Sequence, residues 1–363
     1  MSTLTTNYLT PTGREEAWRF TPLKRLGGLH DGSAVVSDRK SLELKGATQP
    51  GVAFERISKE LVSPVSETDD VVVLRVRELA DEVSVLTVKA NTEVPEPIYL
   101  HRTIGGLESA EFSRTVIRIE NHARATVIIE NMGDAHLAED LEIFVAPGAA
   151  LTLVSLQEWG SKTIHSARHH AMVDRDATFK SIVVTVGGNL VRLLPTVEFI
   201  APGASCELLG VYFATSGQFF EHRMFVDHKV PQAKSRVNYK GALAGNEAHT
   251  VWIGDVFIRA AAEGTDTYEL NRNLLLSDGA RADSVPNLEI ETGEIVGAGH
   301  ASTTGRFDDE QLFYLMSRGI ALEDARRLVV RGFFNEVISE IPSEEIQTRL
   351  MDRIDDELAK AGR

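Results

Sequence analysis

Six alanines set a beat through the middle of this chain. Ala123, Ala149, Ala177, Ala204, Ala233 and Ala262 each sit in a turn-like cluster ahead of an alternating run, at intervals of 26, 28, 27, 29 and 29 residues. Two copies share the tetrapeptide Ala-Pro-Gly-Ala. A period of this size marks a solenoid, whose units bury their apolar faces only by stacking. The stretch is rich in valine and isoleucine, is punctuated by Gly, Pro, Asn and Asp, and has almost no helical periodicity, so the units read as strands. A β-helix fits recurring strand units better than a sandwich, in which strand and turn lengths need not repeat. The alanines read as packing residues. The period alone leaves open whether one interval is one coil or two.

Three regions follow. Residues 1–90 are a mixed capping and docking segment. Within it, Arg14 to Leu26 is predicted as a short amphipathic helix interrupted at Pro22, with Trp18 and Phe20 free to pack on the body. Val71 to Val76 reads as a short apolar strand, and Glu78 to Val88 returns to alternation. Residues 91–305 form the β-helix core, ending in Leu288 and Ile290 alternating with Glu289 and Glu291. A glycine-rich loop follows, Val296-Gly297-Ala298-Gly299-His300, in which one imidazole stands out. Residues 306–363 turn helical. Asp308 and Asp309 suit a helix start and its first turn, and that helix runs to Ser317 with Gly319 as its stop. A second spans Glu323 to Glu340 with Leu328, Val329, Phe333, Val337 and Ile341 as its stripe. Ser343 caps a third, in which Ile346, Leu350, Ile354 and Leu358 recur every four residues. Such stripes must be hidden against the body or a partner.

Composition excludes several functions. No run of eighteen apolar residues exists, so no membrane-spanning helix is expected. The first residues have neither a basic nor an apolar region of a secretory signal. A net charge of −15 argues against nucleic acid or an anionic membrane as partner. The single cysteine, Cys206, forbids an internal disulfide, fits a reducing cytoplasm and rules out a self-contained cluster held by four thiolates.

No self-contained enzyme is visible. The phosphate loop G-x-x-x-x-G-K-[ST], the elbow G-x-S-x-G and the zinc helix H-E-x-x-H are all missing. Gly187-Gly188 reads as a bend. His165, His169 and His170 fall in one run, where 165 and 169 share a strand face and 170 points away. They read as a polar surface ladder in preference to a metal site. His222 and His228, with Asp227, are of mixed facing. Cys206 reads as a small buried hydrophobe.

Several runs, in the right order, carry a resemblance. They are Glu16-Ala-Trp-Arg-Phe-Thr-Pro-Leu, the YKGAL of Tyr239 to Leu243, NRNLLLSDGARADSVPNLEI from Asn271 to Ile290, and the histidine stretch followed by DDEQLFYLMSRGI from Asp308 to Ile320. On these the chain resembles the SufB/SufD family of iron–sulfur cluster assembly scaffolds, on its SufD branch. SufB-like chains are longer and carry functional cysteines, including one in the histidine loop. This chain has neither feature.

The resemblance implies a right-handed parallel β-helix core and a non-catalytic scaffold. It implies pairing with a SufB paralogue through the β-helix and with the SufC ATPase through the C-terminal helices, on a surface carrying Asp308, Gln311, Phe313, Tyr314, Arg318 and Phe333. It makes His300 a ligand of the nascent iron–sulfur cluster, opposite a SufB cysteine. Many relatives read Cys-Ser-His where this chain reads Ala298-Gly299-His300, which leaves the histidine as the strong ligand on this side. A reduced flavin serving the whole complex belongs to the same expectation, although no flavin motif is visible. Without SufB, the same edge would pair two copies of this chain. A stand-alone β-helix enzyme acting on polysaccharide is the rival reading. It would need paired carboxylates or a metal along one face, and the acids here are scattered.

Overall fold

The alanine period is a structural column. In the computed structural model, which describes residues 8–64, 66–306 and 309–361, all six alanines are buried, at 0–1% exposure. The residue ahead of each of the first five takes a left-handed conformation: His122, Gly148, Asp176, Gly203 and Gln232, with φ of 58°, 65°, 53°, 82° and 60°. These turns lie one above another. The amide of His122 donates to the Pro147 carbonyl at 3.1 Å, that of Gly148 to Arg175 at 2.9 Å and that of Asp176 to Pro202 at 3.2 Å. Stacking the turns leaves no room for a large side chain at the next position, so alanine recurs.

Chain order begins with β1 (Leu42–Leu44), β2 (Val52–Ser58), α1 (Val71–Leu79) and β3 (Glu82–Val88). Two 22-residue strands follow, β4 (Ile98–Ile119) and β5 (Arg124–Val145). Then come β6 (Ala150–Trp159), β7 (Ile164–Val173), β8 (Thr178–Thr185), β9 (Leu190–Phe199), β10 (Ser205–Ala214) and β11 (Phe219–His228). The series ends with β12 (Lys234–Leu243), β13 (His249–Ile258), β14 (Asp266–Leu275), β15 (Arg281–Ile290) and β16 (Gly297–Arg306). Even strands from β6 to β16 pair in parallel along one face, odd strands from β7 to β15 along the other, and the faces meet at β5. One alanine interval is therefore one coil of two strands. β5 bends between its halves at Gly133 (φ 89°), where a Cβ would overlap the Ile104 carbonyl. The chain is mainly β, a parallel β-solenoid with C-terminal helices, as expected.

The core lies between the faces and runs continuously from Leu42 and Leu86 to Ile258 and Ala262. Tyr212, Tyr239 and Trp252 are fully buried within it. Three helices, α2 (Asp309–Ser317), α3 (Leu322–Ile338) and α4 (Glu344–Ala361), close the chain. Val330, Phe334, Val337, Ile341, Ile346, Leu350 and Ile354 pack on the outer face of the even sheet, against Val154, Ile182, Val211 and Phe213. Burying one such side chain contributes about 1.5–3 kcal/mol. Arg349 of α4 clasps Glu130 at 2.7 Å and Glu158 at 2.8 Å. Lys240 on β12 donates to the Phe333 carbonyl at 3.0 Å and to Glu336 at 2.6 Å. The α4 stripe is thus spent on the body, whereas in α3 the buried face is Val330, Phe334, Val337 and Ile338, one position round from the expected Leu328, Val329 and Phe333, of which Leu328 is 48% exposed. Among the described residues no helix is long and apolar enough to cross a membrane.

Several expectations need correction. Val71 to Val76 is helical, not a strand: Asp70 caps α1 by accepting from Val72 N at 3.0 Å and Val73 N at 3.2 Å. A three-valine run does not itself distinguish strand from a helix buried on most sides. Arg14 to Leu26 makes two single turns of 3-10 helix, Glu16–Trp18 and Leu23–Arg25, separated at Pro22 as its missing N–H requires. The histidine loop is a strand: Gly297 to Arg306 adds to β14 residue for residue, because a parallel neighbour supplies the ladder that a glycine-rich run cannot supply for itself. The histidine run is no surface ladder either. His165, His169 and His170 are buried, at 0%, 4% and 6% exposure, on a strand enclosed between β5 and β9. The helix start expected at Asp308 lies outside the described residues, whereas Gly319 (φ 86°) does follow α2.

Candidate functional site: the open end of the solenoid

Among the described residues β15 and β16 are the last strands of their faces, each paired on one side. Residues that would be core in any earlier coil are therefore uncovered here. β16 presents His300, Ser302 and Thr304 at the positions above Glu269, Asn271 and Asn273 of β14. His300 is 44% exposed in its side chain.

Beneath this rim lies a hydrogen-bonded polar layer. Ser302 Oγ donates to Ser284 Oγ at 2.7 Å, and Ser284 Oγ donates to Asn271 Oδ1 at 2.7 Å. Asn271 Nδ2 donates to the Tyr212 hydroxyl at 2.9 Å, which itself donates to Asn273 Oδ1 at 2.6 Å. Asn273 Nδ2 closes the loop on Asn271 Oδ1 at 2.7 Å. Fully satisfied networks of this kind hold side chains in one geometry. The solenoid thus ends in a rigid polar floor that does not need another apolar coil above it.

Glu269 differs from its neighbours. It is buried at 1% exposure, and neither carboxylate oxygen has a hydrogen-bond partner. Burial first, and then the nearby Asp255, push its carboxyl up to about 8. Its Oε1 lies 3.9 Å from His300 Nδ1, beyond hydrogen-bond reach. The sequence reading missed Glu269. The available signal was the period-2 alternation, which sets it on one face with Asn271 and Asn273.

The remaining candidates disperse. His165 and His169 share the inward face as expected, with His170 outward. His170 Nδ1 is 2.7 Å from Thr196 Oγ1. His222 and His228 both point inward. His222 stacks on Tyr212 with ring centroids 5.0 Å apart and meets Thr185 Oγ1 at 3.0 Å. Burial lowers His169 and His228 to about 4 and His170 and His222 to about 3, so all four are neutral imidazoles. Among the described residues no group of three or more His, Cys, Asp or Glu is placed to hold a metal. Cys206 faces the core at 4% exposure, and burial, with Glu207 adding to it, pushes its thiol far up. In register it pairs with Ser235, which pairs with Thr267, which pairs with Ala298, so it lies deep below the rim.

On the helices, Phe313 and Tyr314 of α2 are 73% and 57% exposed, and Arg318 stacks on Tyr314 with 5.1 Å to the ring centre. Phe333 is turned to the body, with Lys240 5.1 Å above its ring and Phe334 beside it. Asp308 lies outside the described residues; Gln311 falls within α2.

Fold and site together define a β-solenoid protein whose exposed donors sit on an uncovered end coil. Residues 102–333 match the model of the SufBD core domain of the SUF system for iron–sulfur cluster assembly. The chain is 47% identical over 356 residues to an iron–sulfur cluster assembly SufBD family protein of Mycobacterium tuberculosis, covering 96% of this chain and 89% of that one. A SufBD family protein of Mycobacterium leprae is 46% identical over 357 residues, covering 96% and 90%. The iron–sulfur cluster assembly protein SufD of Escherichia coli is 26% identical over 385 residues, covering 97% and 90%. This chain belongs to the SufBD family of iron–sulfur cluster assembly proteins.

Proposed function

We propose that this chain is a SufD-type scaffold subunit, itself non-catalytic, that supplies His300 to a nascent iron–sulfur cluster. The observation that carries the reading is the position of His300: exposed, on an edge strand whose outer side is left unpaired among the described residues. An unpaired parallel edge is a template for another strand, and a related β-helix such as a SufB-type paralogue continues it. Neutral imidazole binds iron, and a mixed thiolate and imidazole shell holds a cluster less symmetrically than four thiolates. That asymmetry suits transient building. A SufC-type ATPase docks on α2, whose Phe313 and Tyr314 face solvent. β16 ends at Arg306 and α2 begins at Asp309, so motion of the helix reaches the histidine strand over a short path. Nucleotide-driven closure of the ATPase then opens the paired edge to iron and sulfide. Without the paralogue the same edge pairs two copies of this chain.

Anaerobic affinity purification of the chain from its own host tests this. A cysteine-bearing paralogue and a P-loop ATPase are expected to co-purify with iron and sulfide. His300→Ala is expected to keep both partners and lose the metal. Recovery of the chain alone, free of both partners, overturns the reading.

A further inference from the structure

Glu269 is a buried carboxyl that the fold leaves unsatisfied on both oxygens. Leaving such a group unpaired is unfavourable, and its site is shaped around it. Gly254, across the solenoid on β13, has no side chain, and a Cβ there would overlap Glu269 Oε2. The carboxyl stands directly below His300 in register, on the strand β14 with which β16 pairs. The other inward polar groups of this coil, Asn271 and Asn273, are hydrogen-bonded to each other and to Tyr212. Glu269 alone among these three has no such bond.

The spacing suits a metal ion better than a hydrogen bond. Two ligand atoms, each about 2.1 Å from a first-row divalent ion, stand at most about 4.2 Å apart. The observed 3.9 Å between Glu269 Oε1 and His300 Nδ1 falls inside that limit. Imidazole with a carboxylate oxygen suits ferrous iron. We propose that Glu269 and His300 form a two-donor half-site for a divalent iron ion, with the remaining positions left to donors from the strand that pairs onto β16. This deepens the reading that His300 serves cluster assembly, and it rests on that reading. With no third His, Cys, Asp or Glu placed to join them among the described residues, the pair holds iron loosely until a partner completes the shell. Such an incomplete site suits a metal that must be handed on.

Cobalt(II), added anaerobically to the co-purified complex and followed by its visible absorption, is the probe. Glu269→Gln keeps the side-chain volume, has no carboxyl to give up a proton and ligate the ion, and is expected to weaken binding about tenfold or more, with an unchanged melting temperature. Glu269→Asp keeps the charge, withdraws the oxygens by one methylene and is expected to weaken binding as well. His300→Ala is expected to abolish the spectrum. If Glu269→Gln and Glu269→Asp both bind as the unaltered chain does while His300→Ala does not, the half-site is wrong and the scaffold reading stands. If His300→Ala also binds normally, histidine ligation itself falls. Weakening by Glu269→Gln with normal binding by His300→Ala would overturn the pairing of the two residues.

Discussion

Tyr239 fills the space that a side chain on its register partner, Gly210, would occupy. Two residues along, the arrangement reverses: Tyr212 lies where a side chain on Gly241 would go. Two large rings pass each other in successive coils because each neighbour gives way. Gly210→Ala or Gly241→Ala is expected to cost about 1–3 kcal/mol by overpacking, read as a lowered thermal midpoint.

The two tyrosines should answer oppositely to loss of the hydroxyl. The Tyr212 hydroxyl is bonded to Asn271 and Asn273, whereas the Tyr239 hydroxyl is buried without a partner. Tyr212→Phe is expected to destabilise by about 1–3 kcal/mol. Tyr239→Phe is expected to be neutral or stabilising. Urea unfolding of the pair checks this, and equal effects would contradict it.

Arg192 fastens the N-terminal segment. It is 1% exposed, lies 3.9 Å above the Trp18 ring, bonds Asp70 at 2.8 Å and approaches Glu221 at 3.9 Å. Arg192→Ala removes the buried cation from Asp70 and Glu221, which keep only their bonds from the Val72 and Val73 amides and from Thr21, and is expected to cost about 3–5 kcal/mol. Limited proteolysis should then cut first in the segment before residue 30. Arg192→Lys is expected to rescue little, since a lysine neither stacks flat on indole nor forks to a carboxylate.

Acid should weaken the fold through its histidines. An unfolded histidine takes a proton near pH 6.5, whereas His169 and His228 resist to about 4 and His222 and His170 to about 3. Below pH 6.5 the unfolded chain therefore binds more protons than the native one. Stability is complete above that pH and falls as pH drops toward 4, by on the order of 1–2 kcal/mol per histidine by pH 5. Raised carboxyls such as Glu221 oppose this in the same range, so the clean measurement is a comparison. His222→Phe keeps a ring against Tyr212, loses the bond to Thr185 at every pH, and should flatten the slope.

On the proposed reading, the exposed α2 surface serves docking and not folding. Phe313→Ser and Tyr314→Ser remove exposed rings, so the melting temperature should stay within about 1 °C, as for surface changes generally. Co-purification of the ATPase should be lost. Retention of the ATPase by the double variant would move the docking site elsewhere.

The sequence carries the solenoid openly because its turns are periodic, and the alanine column is the steric trace of stacked left-handed residues. It carries the terminal coil poorly. In β14 the polar Glu269, Asn271 and Asn273 face inward, while Leu274 packs outward against the helices, so the usual assignment of apolar to the inside is inverted. Val296 to His300 reads as a loop because its glycines have no strand propensity of their own; β14 imposes the extended form. His165 and His169 look like surface residues because imidazole is polar, yet a coil enclosed by neighbours on both sides buries whatever faces inward. Glu269 is hard to see because the alternation that turns it inward groups it with two asparagines, so the buried face of β14 looks like a solvated one.

Neighbouring coils are joined by their parallel ladders and by turns such as those of His122, Gly148 and Asp176, whose amides reach the carbonyls of the turns in the next coil, with little dependence on what lies farther away. Such a protein can gain or lose a whole 26–29-residue unit during evolution without disturbing the pairing of the rest. Its reach would then change in fixed increments of about 4.8 Å, the spacing of neighbouring strands. The distance from β3 near one end to the histidine strand at the other is thus quantised, adjustable in whole coils and in nothing finer.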